Sequence, residues 1–237
     1  MSRFVSKVFF LAVCSIIFIL GGINTTTAQE NALKAETIHF KDGKYSYVVY
    51  LPPGYSTSKK WPVLFCFDAL GDGELTAMIF SCAAINQGWI VVGSLDVKNG
   101  LSYQVISEIQ DAMLNDILHR YSVDINQFYA TGFSGGTYAS YYIAYAYPDH
   151  FRGVIACGAG LGTDNVFARI VSSKISVFHC LGNNDFKYDE VVWAHHILIE
   201  RGAHSKLRKY EGTHQYPPKE VILEALDWIS KEGAVSR

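Results

Sequence analysis

The sequence predicts an α/β domain built on a mostly parallel, doubly wound sheet with helices on both faces. Three observations point there. Short apolar runs rich in Val, Ile, Phe and Cys recur along the chain, with the unbroken hydrophobicity of strands buried on both sides. Segments with apolar residues at helical spacing separate those runs. The two kinds alternate from about residue 44 to the C-terminus, the order that crossover connections between parallel strands require.

Taken in order, residues 36–40 offer a first strand. Residues 44–51 alternate tyrosine and valine and stop at Pro52-Pro53-Gly54, a strand closed by a turn. Runs at 62–67, 89–95, 127–133, 153–157 and 175–181 are the continuous apolar kind, and 205–210 is more polar, as an edge strand would be. Ile106, Ile109, Met113 and Ile117 share one face of a helix over 102–121. Residues 137–147 suit a helix; Val191, Ala194, Leu198 and Arg201 mark another before Gly202, and Val221, Leu223, Leu226, Trp228 and Ile229 mark the last. With no repeat, low-complexity tract or long linker, residues 29–237 read as a single domain.

The first 28 residues read differently. Arg3 and Lys7 precede an apolar run over 8–20, which softens through Gly21-Gly22 into a polar stretch ending Thr26-Thr27-Ala28. That is the layout of a secretory signal peptide, with cleavage expected after Ala28. The apolar run falls short of the ~20 residues of a comfortable bilayer span. The expectation is an exported protein, periplasmic or secreted, with no stable membrane span after processing. Twenty basic against 22 acidic residues give a net charge of −2, and no basic run argues for nucleic acid. A small molecule or a neutral polymer is the expected partner. Cys66, Cys157 and Cys180 fall in strand-like runs and Cys82 outside them; free, mostly buried thiols are the default, with a Cys157–Cys180 bridge as the alternative.

The sharpest local signal is Gly132-Phe133-Ser134-Gly135-Gly136, a G-x-S-x-G pattern between a strand and a helix. A strand that turns sharply into a helix holds the serine at a strained backbone position, and glycines two residues away on either side remove the Cβ atoms that would collide. A neutral serine needs a base, and the base an orienting acid, in the chain order serine, acid, histidine. Asp185 follows the 175–181 strand, where ligands gather in open α/β sheets. It could also cap the next helix, which leaves Asp189 and Glu190 as alternative acids. Of the eight histidines, His214 alone combines the right order with a glycine-marked loop after the last strand. Stabilisation of the developing oxyanion falls to the backbone N–H of Gly135 and to a second amide from the glycine-rich loop 67–73, that of Leu70 or Ala69.

On these residues the chain resembles α/β-hydrolases of the carboxylesterase/phospholipase and exported feruloyl-esterase or polyester-depolymerase type, from about Tyr47 to Ile229. The resemblance rests on Asp68-Ala69-Leu70-Gly71-Asp72, on the serine motif, on Gly182-Asn183-Asn184-Asp185 and on Gly212-Thr213-His214. It implies the α/β-hydrolase fold and the roles of oxyanion hole, nucleophile, acid and base in that order. Asp68-Ala69 stands where family members commonly carry His-Gly. Residues 158–174 are too few for a large cap domain, so an open site is expected, with Asn99, Phe133, Phe186 and Tyr188 as wall residues. Tyr138, Tyr142 and Tyr145 recur at helical spacing and read as helix packing. The expected chemistry is hydrolysis of a small-molecule or polymer-borne ester by two-step acyl transfer, with no metal and no organic cofactor. A peptidase with the same triad and a catalytically silent binding protein are the rival readings.

Overall fold

A computed structural model of the chain describes residues 35–162 and 175–235. The expected signal segment and most of the 158–174 connection lie outside the described residues. The strands are β1 (Glu36–Phe40), β2 (Tyr45–Tyr50), β3 (Trp61–Asp68), β4 (Ile90–Ser94), β5 (Val123–Phe133), β6 (Phe151–Cys157), β7 (Ser176–Gly182) and β8 (Ser205–Tyr210). The helices are α1 (Gly73–Asn86), α2 (Tyr103–Arg120), α3 (Gly135–Ala146), α4 (Tyr188–Glu200) and α5 (Lys219–Val235).

The strands form one sheet in the order β1-β2-β4-β3-β5-β6-β7-β8. β1 pairs antiparallel with β2, and β2 with β4. Every other pair is parallel. Alternation along the strands feeds two cores. Val63, Phe65 and Phe67 face one side with Met113 of α2, Ile143 of α3 and Leu198 of α4. Leu64 and Cys66 face the other, with Phe80 of α1 and Leu226 of α5. Helices therefore cover both faces, as the alternating pattern predicts.

Helix α1 has no counterpart in the helical periods of the sequence. Its sequence, GELTAMIFSCAAIN, is apolar nearly all round, so no stripe stands out. The reason is its position: it packs on the sheet and against α5, with Thr76, Ala77, Phe80 and Ala84 wholly buried. Asp72 starts it, accepting the Leu75 N–H at 3.2 Å. β5 begins at Val123, ahead of its apolar run, with a register irregularity between Phe128 and Tyr129. On α5 the buried stripe is Val221, Ile222, Ala225, Leu226 and Ile229, while Leu223 is exposed. Cys66, Cys157 and Cys180 are buried free thiols. No helix among the described residues is long and apolar enough to cross a membrane.

The topology places the site. β4 and β5 flank β3 on opposite sides, so the winding direction reverses there, and ligands bind at the carboxyl ends of strands at such a switch. The segments leaving β3, β5, β7 and β8 at that end are the four the sequence singled out.

Candidate active site

The elbow at Ser134 is built by backbone contact. Ser134 has φ 54° and ψ −119°, a left-handed conformation that costs a residue with a Cβ about 1–3 kcal/mol. What holds it is close packing. A Cβ on Gly132 would lie 2.2 Å from the Gly136 carbonyl, and one on Gly136 would lie 2.3 Å from the Phe67 oxygen. The strand end, the helix start and β3 therefore touch at main-chain distance. The Ser134 N–H donates to the Cys157 carbonyl at 2.9 Å. The Thr137 hydroxyl donates to the Gly132 and Cys157 carbonyls at 2.8 and 3.0 Å, bracing the turn from inside.

The acid and the histidine are brought together by laced loops. Asn183 donates its N–H to the Tyr210 carbonyl and Asn184 to that of Gly212, both at 2.9 Å. Asp185 is buried, and its Oδ1 and Oδ2 accept from His214 Nδ1 at 2.9 and 3.0 Å. Oδ1 also accepts the Lys187 N–H at 2.8 Å, at the start of α4. Asp185 therefore serves both the imidazole and the helix terminus, and its two sequence readings are compatible. Asp189 is exposed on α4. Glu190 turns elsewhere, accepting from Tyr138 Oη at 2.7 Å, Lys187 Nζ at 2.6 Å and the Gly160 N–H at 3.0 Å. Burial alone would raise the Glu190 carboxyl, but these donors outweigh it and hold its pKa below the ordinary carboxylate range.

The His214 ring lies between Phe133 at 4.8 Å and the exposed Phe186 at 4.3 Å between centroids. Gly158 lies beneath it, where a Cβ would come 3.1 Å from Cε1. Ser134 hangs on Cys157 and His214 rests on Gly158, so consecutive residues after β6 support both. Among the described residues no hydrogen bond joins their side chains in this structure. With Nδ1 taken by Asp185, Nε2 is the ring atom left for that contact.

The loop after β3 differs from its expected arrangement. The Leu70 N–H donates to Asp68 Oδ1 at 2.7 Å, so in this structure that amide is engaged within the loop. The Ala69 carbonyl accepts the Asn99 N–H at 2.9 Å. Gly135 opens α3, with the Asn99 side chain against its Cα.

A cavity of about 170 Å³ opens beside Gly135. Of the four predicted wall residues, Asn99 lines it, while Phe133 and Phe186 flank the imidazole outside it. The Tyr188 hydroxyl meets Lys209 Nζ on β8, and the residue does not line this cavity. The main walls are Tyr103, Tyr138, Tyr142, Leu101 and Lys98, which the sequence reading missed. The helical spacing of Tyr138 and Tyr142 was the available signal. Both sit on the cavity side of α3, with Tyr142 stacked on Tyr103 at 5.6 Å.

A family model described as phospholipase/carboxylesterase matches residues 97–231. No curated protein matches the chain. Among solved structures, S-formylglutathione hydrolase from Staphylococcus aureus superposes with a TM-score of 0.67 at 16% identity, over 83% of this chain and 95% of that one. A ferulic acid esterase from Anaeromyces mucronatus gives 0.65 at 19% identity, over 85% and 91%. A thermostable esterase gives 0.64 at 17%, over 85% of this chain but 63% of its own length. These likenesses are of fold. The family match spans the cavity walls, the serine motif, Asp185 and His214, and the chain belongs to the phospholipase/carboxylesterase family of α/β-hydrolases, enzymes that cleave carboxylic esters.

Proposed function

We propose that this chain is an exported serine esterase acting by two-step acyl transfer, with Ser134 as nucleophile, His214 as base and then acid, and Asp185 as its orienting partner. The observation that carries this reading is the His214–Asp185 pair, held at 2.9 Å beside a serine elbow of left-handed backbone. Asp185 fixes the tautomer with the proton on Nδ1, so Nε2 can take the hydroxyl proton as Ser134 attacks the ester carbonyl. The N–H of Gly135 and a second amide from the loop after β3, that of Leu70 or Ala69, then stabilise the tetrahedral oxyanion, each worth about 3–4 kcal/mol. His214 returns the proton to the departing alcohol, and a water activated the same way releases the acid. No step needs a metal or a redox cofactor. The cavity beside Gly135, at about 170 Å³, is close to the ~150 Å³ that accommodates a benzene ring. One short chain or one ring of the substrate fits there. The layout of residues 1–28 supports export.

The test is direct. The exported protein should begin near Gln29, hydrolyse short p-nitrophenyl esters in preference to peptide amides, and take up one fluorophosphonate at Ser134. Ser134→Ala should abolish labelling and lower kcat by about 10⁴–10⁶-fold, with stability within about 1 kcal/mol of wild type. Ester turnover undiminished in that variant would end the assignment.

A further inference from the structure

Asp68, the last residue of β3, is an unusual group to find next to a site that stabilises an anion. It is buried, at 7% exposure, and makes no ion pair among the described residues. A buried carboxylate without a cation must be satisfied by hydrogen-bond donors. Oδ1 accepts the N–H of Leu70 at 2.7 Å and that of Asp72 at 3.4 Å. Oδ2 accepts from Tyr216 Oη at 3.0 Å, across 148 positions of sequence. Tyr216 lies two residues beyond His214, and its ring packs on Phe133 at 4.5 Å. Its oxygen is also 2.7 Å from Thr76 Oγ1 on α1. Burial raises the phenol pKa, so the group stays protonated and donates.

These contacts fix one peptide plane. The Ala69–Leu70 peptide is held at its N–H edge by Asp68 and at its carbonyl edge by the Asn99 N–H. A plane held at both edges cannot rotate, so the loop after β3 is set in one conformation beside Ser134.

We propose that Asp68 and Tyr216 are a pair of positioning residues: their hydrogen bond ties the loop after β3 to the loop carrying His214, and capture of the Leu70 amide by Asp68 fixes the conformation in which that loop meets the oxyanion. This rests on the serine-esterase reading above. The pair touches no reacting atom; it sets donor and base in register, where a misplacement of about 1 Å can cost 10²-fold.

The experiment measures kcat and KM per active site titrated with fluorophosphonate, so unfolded protein does not count. Wild type and Ser134→Ala are the controls. Asp68→Ala should lower kcat about 30- to 300-fold and change KM less than about threefold, with the rate of fluorophosphonate labelling falling in step. Tyr216→Phe removes one oxygen and keeps the stack on Phe133, so it remains a fair test even if Asp68→Ala fails to fold. It should lower kcat about tenfold. Asp68→Asn still offers an acceptor to Leu70 and should recover to within about tenfold of wild type. Asp68→Ala combined with Tyr216→Phe should be no slower than Asp68→Ala alone, since the two residues act as one unit. Wild-type kcat in Tyr216→Phe, additive losses in the double variant, or equal losses for Asp68→Asn and Asp68→Ala would each overturn the pair while leaving Ser134 in place. A wild type that neither labels nor turns over ester would overturn the serine-esterase reading, and the pair with it.

Discussion

Ser134 and the Asp185–His214 pair are held by different forces. At the elbow, backbone touches backbone: Gly132 lies against Gly136, Gly136 against Phe67, and the strain at Ser134 is contained by main-chain hydrogen bonds. At the ends of β7 and β8 the parts are side chains, 29 positions apart in sequence, joined by the carboxylate–imidazole contact and two laced loops. The first region resists change because there is no room. The second resists change because particular polar atoms must be satisfied. Shape is the currency at one end of the site and hydrogen bonding at the other, so substitutions should fail differently.

The largest effect should come from Gly132→Ala. Its new methyl group would sit 2.2 Å from main-chain atoms of Gly136, which no side-chain rotation relieves. A loss of more than about 4 kcal/mol is expected, leaving little folded protein, and a urea melt checks it. A stable, merely inactive Gly132→Ala protein would break the contrast. Asp185→Asn should behave in the opposite way, folding cooperatively while kcat falls on the order of 10³–10⁴-fold, because the imidazole loses its charge partner and its tautomer. Asp189→Asn is the matched control and should stay near wild type. A swap between these two would move the acid onto α4.

The smallest effect sharpens the polar side of the comparison. His179 sits on β7, the strand that delivers Asp185, wholly buried and with neither ring nitrogen hydrogen-bonded among the described residues. Burial, with nearby His195 adding to it, pushes its pKa down to about 3. An unfolded histidine titrates near pH 6.5. Between about 6.5 and 3 the unfolded chain therefore takes up a proton that the folded protein refuses, and stability falls as pH falls through that window. His179→Leu should flatten that slope and add about 1–2 kcal/mol at neutral pH, with kcat unchanged. Urea melts at pH 7 and pH 5 decide it. A variant with an unchanged slope would show that the loss comes from elsewhere.

The same contrast explains what could be read from the sequence. Main-chain geometry writes itself into glycine spacing, so the strand–turn–helix at Ser134 was legible in Gly132 and Gly136. The chain order of Asp185 and His214 was legible because loops after parallel strands gather at one edge. Contacts between side chains far apart leave no such trace. Nothing in the sequence near Asp68 announces Tyr216, and nothing marks the Leu70 amide as already taken. The tyrosines at 138 and 142 showed their period but not their face, because a helix packed beside a cavity has the same spacing as one packed in a core. Helix α1 was hidden for the reverse reason: being buried nearly all round, it has no polar side to reveal its period.

The left-handed backbone at residue 134 also bears on how such a protein would change under artificial selection. Glycine adopts φ 54° freely, whereas serine holds it at a cost of about 1–3 kcal/mol. A laboratory lineage screened only for heat resistance would therefore gain by exchanging Ser134 for glycine, early and with a single substitution. Its descendants would be hardier proteins of the same shape, with no hydroxyl at residue 134. Retaining the serine requires that turnover be screened in every round.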